Sequence, residues 1–275
     1  MNIEHRCSVF SMIEALFLLN ELGIFLTKTD TPGDINMHLK KVNLHPDKYP
    51  TREHYPFNLD LFSVTKSLIF NSPVTFFVGE NGSGKSTLLD AITRKCGIMM
   101  WQGIQRPRFK ASPYEKELYR TIDVEWQDKR VPGSFFGSHI FQNFAQLWDE
   151  WLTMDPGLIE YLGGRSLMSQ SHGQSLMAFF TSRFKIKGIY FLDEPETALS
   201  PKSQVQLLNL LKDMGRSGHA QFVIASHSPI LLACPDAEIF NFDENPVKPI
   251  DYQDTDHYRI YKAFMADPKK FLIKK

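Results

Sequence analysis

The sequence predicts an α/β chain with a mostly parallel core sheet, an antiparallel β subdomain and a helical lobe. Three observations predict it. Short, continuously apolar runs at Val74–Val78 (VTFFV), Ile189–Leu192 (IYFL) and Phe222–Ala225 (FVIA) have the composition of strands buried on both faces, as in a parallel sheet. Between the last two, Pro201–Met214 is a helix with Ser200 at its N-cap, Pro201 at its first position and Gly215 past its end. Strand, helix, strand makes a βαβ unit. Earlier in the chain the apolar residues alternate instead: Ile35, Met37 and Leu39, then Val42 and Leu44 after a register change at Lys40-Lys41, and again Phe57, Leu59 and Leu61. That period of two predicts an antiparallel pair with a bulge.

A length of 275 residues is enough for one large domain with an elaborated lobe, and too short for several independent ones. The expected division is an N-terminal helical extension over 1–33, set off by the turn residues Thr31–Asp34, and a single domain over 34–275 whose helical lobe spans about 97–185. In the lobe, Ile140, Phe144, Leu147, Trp148, Trp151 and Leu152 fall at helical spacing, which is core patterning rather than a base-stacking platform.

The 31 Lys and Arg balance 31 Asp and Glu, so composition makes no case for nucleic acid as a partner. Cys7, Cys96 and Cys234 form neither a disulfide framework nor a metal pair, which points to a reducing, cytoplasmic setting. The apolar stretch Val9–Leu26 carries Glu14, Asn20 and Glu21, and Arg6 is the only firm positive charge before it. It is a poor membrane span and a poor signal peptide, and an amphipathic helix is the simpler reading.

The chemistry starts at Gly79-Glu80-Asn81-Gly82-Ser83-Gly84-Lys85-Ser86, which matches G-x-x-x-x-G-K-[ST] between a predicted strand and a predicted helix, Thr87–Lys95. The glycines let successive amides and the helix N-terminus face phosphates, so Gly79, Asn81, Gly82, Ser83, Gly84, Lys85, Ser86 and Thr87 are the expected nucleotide-binding set. Lys85 would reach the β- and γ-phosphates, and the Ser86 hydroxyl would join the Mg²⁺ shell. The strand Ile189–Leu192 ends in Asp193 and Glu194, two carboxylates at a buried edge, where Asp193 would hold Mg²⁺ through water and Glu194 would take the proton of the attacking water. The strand Phe222–Ala225 ends in Ser226-His227-Ser228, which puts His227 at the same edge as a hydrogen-bond donor to phosphate or water. Ser171-His172-Gly173-Gln174-Ser175 opens an apolar helix, a second anion-binding turn or, read alone, a helix cap.

Taken in order, GENGSGKS, SHGQS, FLDEPETALSP and ASHSP resemble the P-loop, signature, Walker B, D-loop and switch-histidine elements of ABC-class ATPases. The chain is most similar to the soluble, stand-alone members labelled AAA-family ATPases, near RecF and the chromosome-structural, SMC-like ATPases, over roughly Ile35 to Phe242. The resemblance implies an ATPase using Mg²⁺, with Glu194, His227 and Lys85 as its catalytic residues. It implies a homodimer around two ATP molecules, each P-loop facing Ser171, Gly173 and Gln174 of the other copy. For the Q-loop ligand to Mg²⁺ it offers Gln142, with Gln127 and Gln146 as alternatives; for adenine stacking it offers Tyr55 or Phe57. Two positions depart from the pattern, His172 in the signature and Ser200 in place of the D-loop aspartate.

The interval from Lys85 to Ser171 has no room for a long coiled-coil arm, and the 48 residues after His227 none for a fused nuclease. An effector would therefore be another protein. DNA repair and phage defence are the leading settings. A transporter's nucleotide-binding subunit would use the same motifs, against which the altered signature argues. An ATP-switched DNA-binding clamp would use Arg106, Arg108 and Lys110 or Lys269, Lys270, Lys274 and Lys275, otherwise solvated surface charge. A small-molecule P-loop kinase leaves the signature turn unexplained.

Overall fold

The computed structural model describes residues 37–98, 100, 112–137 and 172–272, all within one compact unit, Ile35–Lys275. The N-terminal extension, the aromatic helix of the lobe, Arg106, Arg108, Lys110, Gln142, Gln146, Ser171, Lys274 and Lys275 lie outside the described residues. In chain order the elements are β1 (Leu39–Leu44), α1 (Asp60–Val64), β2 (Ser67–Ile69), β3 (Val74–Val78), α2 (Lys85–Lys95), β4 (Ile122–Trp126), β5 (Gly133–Gly137), α3 (His172–Arg183), β6 (Gly188–Asp193), α4 (Pro201–Arg216), β7 (Ala220–Ala225), α5 (Pro229–Leu232), β8 (Glu238–Asn241), β9 (Lys248–Pro249) and α6 (Asp256–Ala266).

The central sheet has the order β5-β6-β7-β3-β8-β9, parallel throughout except for β9. Its three middle strands are the three apolar runs, and side-chain alternation sends their residues to two separate cores. Phe76, Tyr190, Leu192, Phe222 and Ile224 meet Leu176 and Phe180 of α3 and Leu207 and Leu211 of α4. Phe77, Ile189, Phe191, Val223 and Ala225 meet Leu88, Leu89 and Ile92 of α2 together with Leu39, Val42 and Leu44 of β1. A strand covered on both faces has no polar side to show, which is why these runs are unbroken.

The second sheet, β2-β1-β4, is antiparallel. The register of β1 against β4 shifts between Leu39 and Lys41, at the expected bulge. The expected partner strand over Phe57 to Leu61 is not formed. The amides of Asn58 and Leu59 bond back to the carbonyls of His54 and Pro56, and α1 follows. Leu61 and Phe62 are adjacent and both buried, which suits one turn of helix and not a one-faced strand. The pairs of β1 are instead β2 and β4. Gly215 likewise lies inside α4 rather than past its end, where a Cβ would come within 3.1 Å of Val74 Cγ2. Ser200 caps α4 as expected, its side chain accepting from the amide of Ser203.

Parallel strands deliver their carboxyl ends to one edge. Gly137 lies beside Asp193, Asp193 beside Ala225, Phe77 beside Ala225, and Val78 beside Asn241. Everything that follows these strands converges on that edge.

Candidate functional site

The loop from β3 to α2 curls because three of its glycines have positive φ: Gly79 at 150°, Gly82 at 85° and Gly84 at 102°. Gly84 is also packed, since a Cβ there would sit 2.9 Å from Cζ of the buried Phe62. The Lys85 ammonium is buried and donates to the carbonyls of Gly79 (2.7 Å) and Glu80 (2.8 Å). Burial lowers its pKa, and the nearby carboxylates of Asp243, Glu194, Asp193 and Glu80 act in the opposite sense. Asp243 was not among the expected residues. It follows β8, and its Oδ1 accepts the Glu80 amide at 2.8 Å, bracing the first turn of the loop.

The Ser86 hydroxyl donates to Asp193 Oδ1 at 2.8 Å, joining residues 107 positions apart. Beyond Asp193 the chain turns sharply: Glu194 has φ 47° and ψ 54°, left-handed for a residue with a Cβ. Such a conformation costs about 1–3 kcal/mol and persists only where surroundings enforce it. Here the Glu194 amide donates to the carbonyl of Ala225 at the end of β7. The turn aims the Glu194 carboxylate toward His227, whose Nε2 is 3.8 Å from Oε1.

His227 is held at two points. Its amide donates to Oε1 of Glu196 at 2.6 Å, its Nδ1 lies 2.9 Å from Nε2 of His257, and its Nε2 is shielded with no partner among the described residues. Burial, then Lys85 and His257, lower the His227 pKa, so the ring is neutral near pH 7. Burial likewise lowers the His257 pKa and raises that of Glu196. Glu196 and His257 carry no local pattern that marks them. His257 stands 30 residues beyond its partner, on a helix whose periodicity alone says nothing of an active site.

The structure separates the remaining alternatives. Tyr55 is partly exposed and its hydroxyl bonds Thr87 Oγ1 at the start of α2, whereas Phe57 is fully buried against Tyr49 and Tyr114 and has no face for a base. Gln127 stands at the wrong edge. Its amide bonds the carbonyl of His38, and His38 Nε2 lies 3.1 Å from the carbonyl of His219, just before β7 begins. Chain leaving β5 starts beside Asp193, and Gln142 follows five positions later, outside the described residues. At the N-terminus of α3, a Cβ on Gly173 would lie 3.5 Å from the Ala198 carbonyl, 3.8 Å from Ser203 Oγ and 3.9 Å from Leu199 Cδ2.

These groups suit a nucleoside triphosphate with Mg²⁺. The donor set is hard oxygen, Ser86 hydroxyl and Asp193 carboxylate, at the foot of a loop that presents amides and a buried cation. Among the described residues no three His, Cys, Asp or Glu side chains form a cage.

Two family models match the chain: one described as "AAA domain, putative AbiEii toxin, Type IV TA system" over residues 164–233, and one described as "AAA domain" over 55–97. Together they cover the P-loop, the signature turn, Walker B and His227. The matched segments are similar to P-loop ATPase domains. The "Probable siderophore transport system ATP-binding protein YusV" of Bacillus subtilis is 27% identical to the chain over 58% of the chain and 63% of its own length. The "Molybdate import ATP-binding protein MolC" of Haemophilus influenzae is 29% identical over 55% of the chain and 60% of its own length. The chain thus spans about three fifths of the curated relatives it matches. Among solved structures, the "SMC head domain from Thermotoga maritima" is similar at 17% identity and a TM-score of 0.42, covering 78% of this chain and 99% of that one. Among the described residues, no helix of the domain is long and apolar enough to cross a membrane.

Proposed function

We propose that this chain is an Mg-dependent ATPase whose ATP-driven pairing of two copies operates a protein partner in the cytoplasm, in DNA repair or phage defence. One observation carries it: Ser86 and Asp193 in contact, with Glu194 and His227 beside them at a single sheet edge. The loop amides, Lys85 and Thr87 bind the phosphates, and Tyr55, whose hydroxyl bonds Thr87, is the candidate for stacking on adenine. Ser86, Asp193 through water, and Gln142 as the Q-loop residue would hold Mg²⁺, whose charge would offset that building on the phosphate oxygens. Glu194 takes a proton from water as its oxygen bonds to the γ-phosphorus and the bond to the bridging β–γ oxygen breaks. His227 steadies that water or the γ-oxygens through Nε2. Ser171, Gly173 and Gln174 of the second copy complete the phosphate cradle.

Phosphate release from Mg-ATP tests this. The wild-type chain turns over, Glu194→Gln binds nucleotide but slows by about 10²–10⁴-fold, and Lys85→Ala loses binding. An inactive wild-type chain, or a Glu194→Gln variant as fast as wild type, would overturn it.

A second reading is favoured by the names of the curated relatives, which are transport ATP-binding proteins. By this reading the chain is the ATP-binding subunit of a membrane importer; His172 and Ser200 stand against it. Recovery of the chain with the membrane fraction of its own cells would decide for it.

A further inference from the structure

We propose that His257, on α6, is a positioning residue of the hydrolytic site: its Nε2–H donates to Nδ1 of His227 and so holds the His227 proton on Nε2, the atom that faces Glu194. The proposal deepens the ATPase reading and rests on it.

Geometry leaves two arrangements. The rings meet through His227 Nδ1 and His257 Nε2 at 2.9 Å, tilted by 44° with centroids 5.1 Å apart, so the contact is a hydrogen bond rather than a stack. A neutral imidazole has one proton and one lone pair. If His227 donated from Nδ1, the Nε2 lone pair would point at a carboxylate oxygen 3.8 Å away, and Nε2 would offer no N–H to water or phosphate. If His227 accepts at Nδ1, an N–H dipole on Nε2 faces that carboxylate instead, and the shielded Nε2 becomes a donor for water or phosphate. Electrostatics selects the second arrangement, and it requires His257 to be the donor. The His227 main chain cannot retreat, because Glu196 holds its amide.

The support for His257 is local and specific. Thr255 caps α6 by accepting the amide of Tyr258, and the Tyr252 hydroxyl bonds the carbonyl of Pro229 at the start of α5, tying the segment before α6 to the turn that carries His227. His257 is only partly buried and no residue of α6 is fully buried, so core packing does not call for a histidine at 257.

The experiment uses the full chain with ¹⁵N-labelled histidine, recording long-range ¹H–¹⁵N correlations at neutral pH without nucleotide. His227 is expected as the Nε2-protonated tautomer. In His257→Ala its nitrogen shifts move toward a tautomer average, and kcat for ATP falls about tenfold with KM unchanged, the lower range for an outer-shell partner of a functional histidine. His257→Gln, whose amide can donate from nearly the same place, recovers part of the rate. A wild-type His227 protonated on Nδ1 overturns the proposal, as does a His257→Ala variant with unchanged tautomer and rate. A wild-type chain without turnover fails the ATPase reading instead, and the spectrum then still decides the tautomer.

Discussion

Two neighbouring glycines of the P-loop separate backbone strain from steric fit. Gly82 and Gly84 both have positive φ, 85° and 102°, but a Cβ on Gly82 would meet nothing within 4 Å. One on Gly84 would meet Phe62 Cζ at 2.9 Å and Leu59 Cδ1 at 3.2 Å. Phe62 is fully buried and cannot swing away. Gly82→Ala therefore carries the conformational cost alone, about 1–2 kcal/mol. Gly84→Ala adds overpacking of about 1–3 kcal/mol, for a total of about 2–5 kcal/mol. Urea unfolding at constant m reads the difference, and a fluorescent ATP analogue reads whether the loop still binds. Equal losses for the two variants would refute the account of the Gly84–Phe62 contact.

Gln221, fully buried on β7, accepts the amides of His38 and Leu39 and donates to the carbonyl of Leu39, pinning the antiparallel sheet to the central one. Gln221→Leu orphans two buried amides at about 1–3 kcal/mol each, so urea unfolding should show a loss of about 2–6 kcal/mol. Acid should also weaken the fold. His38, His227 and His257 are all held below the ordinary histidine value of 6.5, chiefly by burial, so the unfolded chain takes up protons first. Stability is then full above about pH 6.5 and declines as pH falls through the folded values, by at most about 1.4 kcal/mol per pH unit for each histidine. Glu196, raised by burial, contributes with the opposite sign, its share being lost as pH rises through its folded value. Chemical unfolding across this range should give a shallower slope for His257→Gln, and equal slopes would count against buried neutral histidines.

Much of this architecture is legible one residue type at a time. Continuous apolar runs mark β3, β6 and β7 because each is covered twice, and Ser200 and the Lys40-Lys41 register change mark a cap and a bulge through local chemistry. The P-loop is legible because it is contiguous. What escapes is either short or distant. β5 is GSFFG, as long as β3 but with glycine at both ends and only two apolar residues, too few to read as a buried run. Phe57 to Leu61 alternates as a strand would, yet the burial of Phe62 beside Leu61 decides for helix, and only tertiary packing supplies that fact. Asp243, Glu196 and His257 act through partners 163, 31 and 30 positions away, where no sequence spacing points to them.

The claim that ATP closes two copies of this chain around two nucleotides is tested most directly by light-scattering mass of Glu194→Gln. With Mg-ATP the account predicts a dimer, and without nucleotide a monomer, because removing the proton acceptor traps the bound state. A mass that stays monomeric while ATP binding is confirmed would contradict it, leaving Ser171 to Gln174 as the cap of α3 and nothing more.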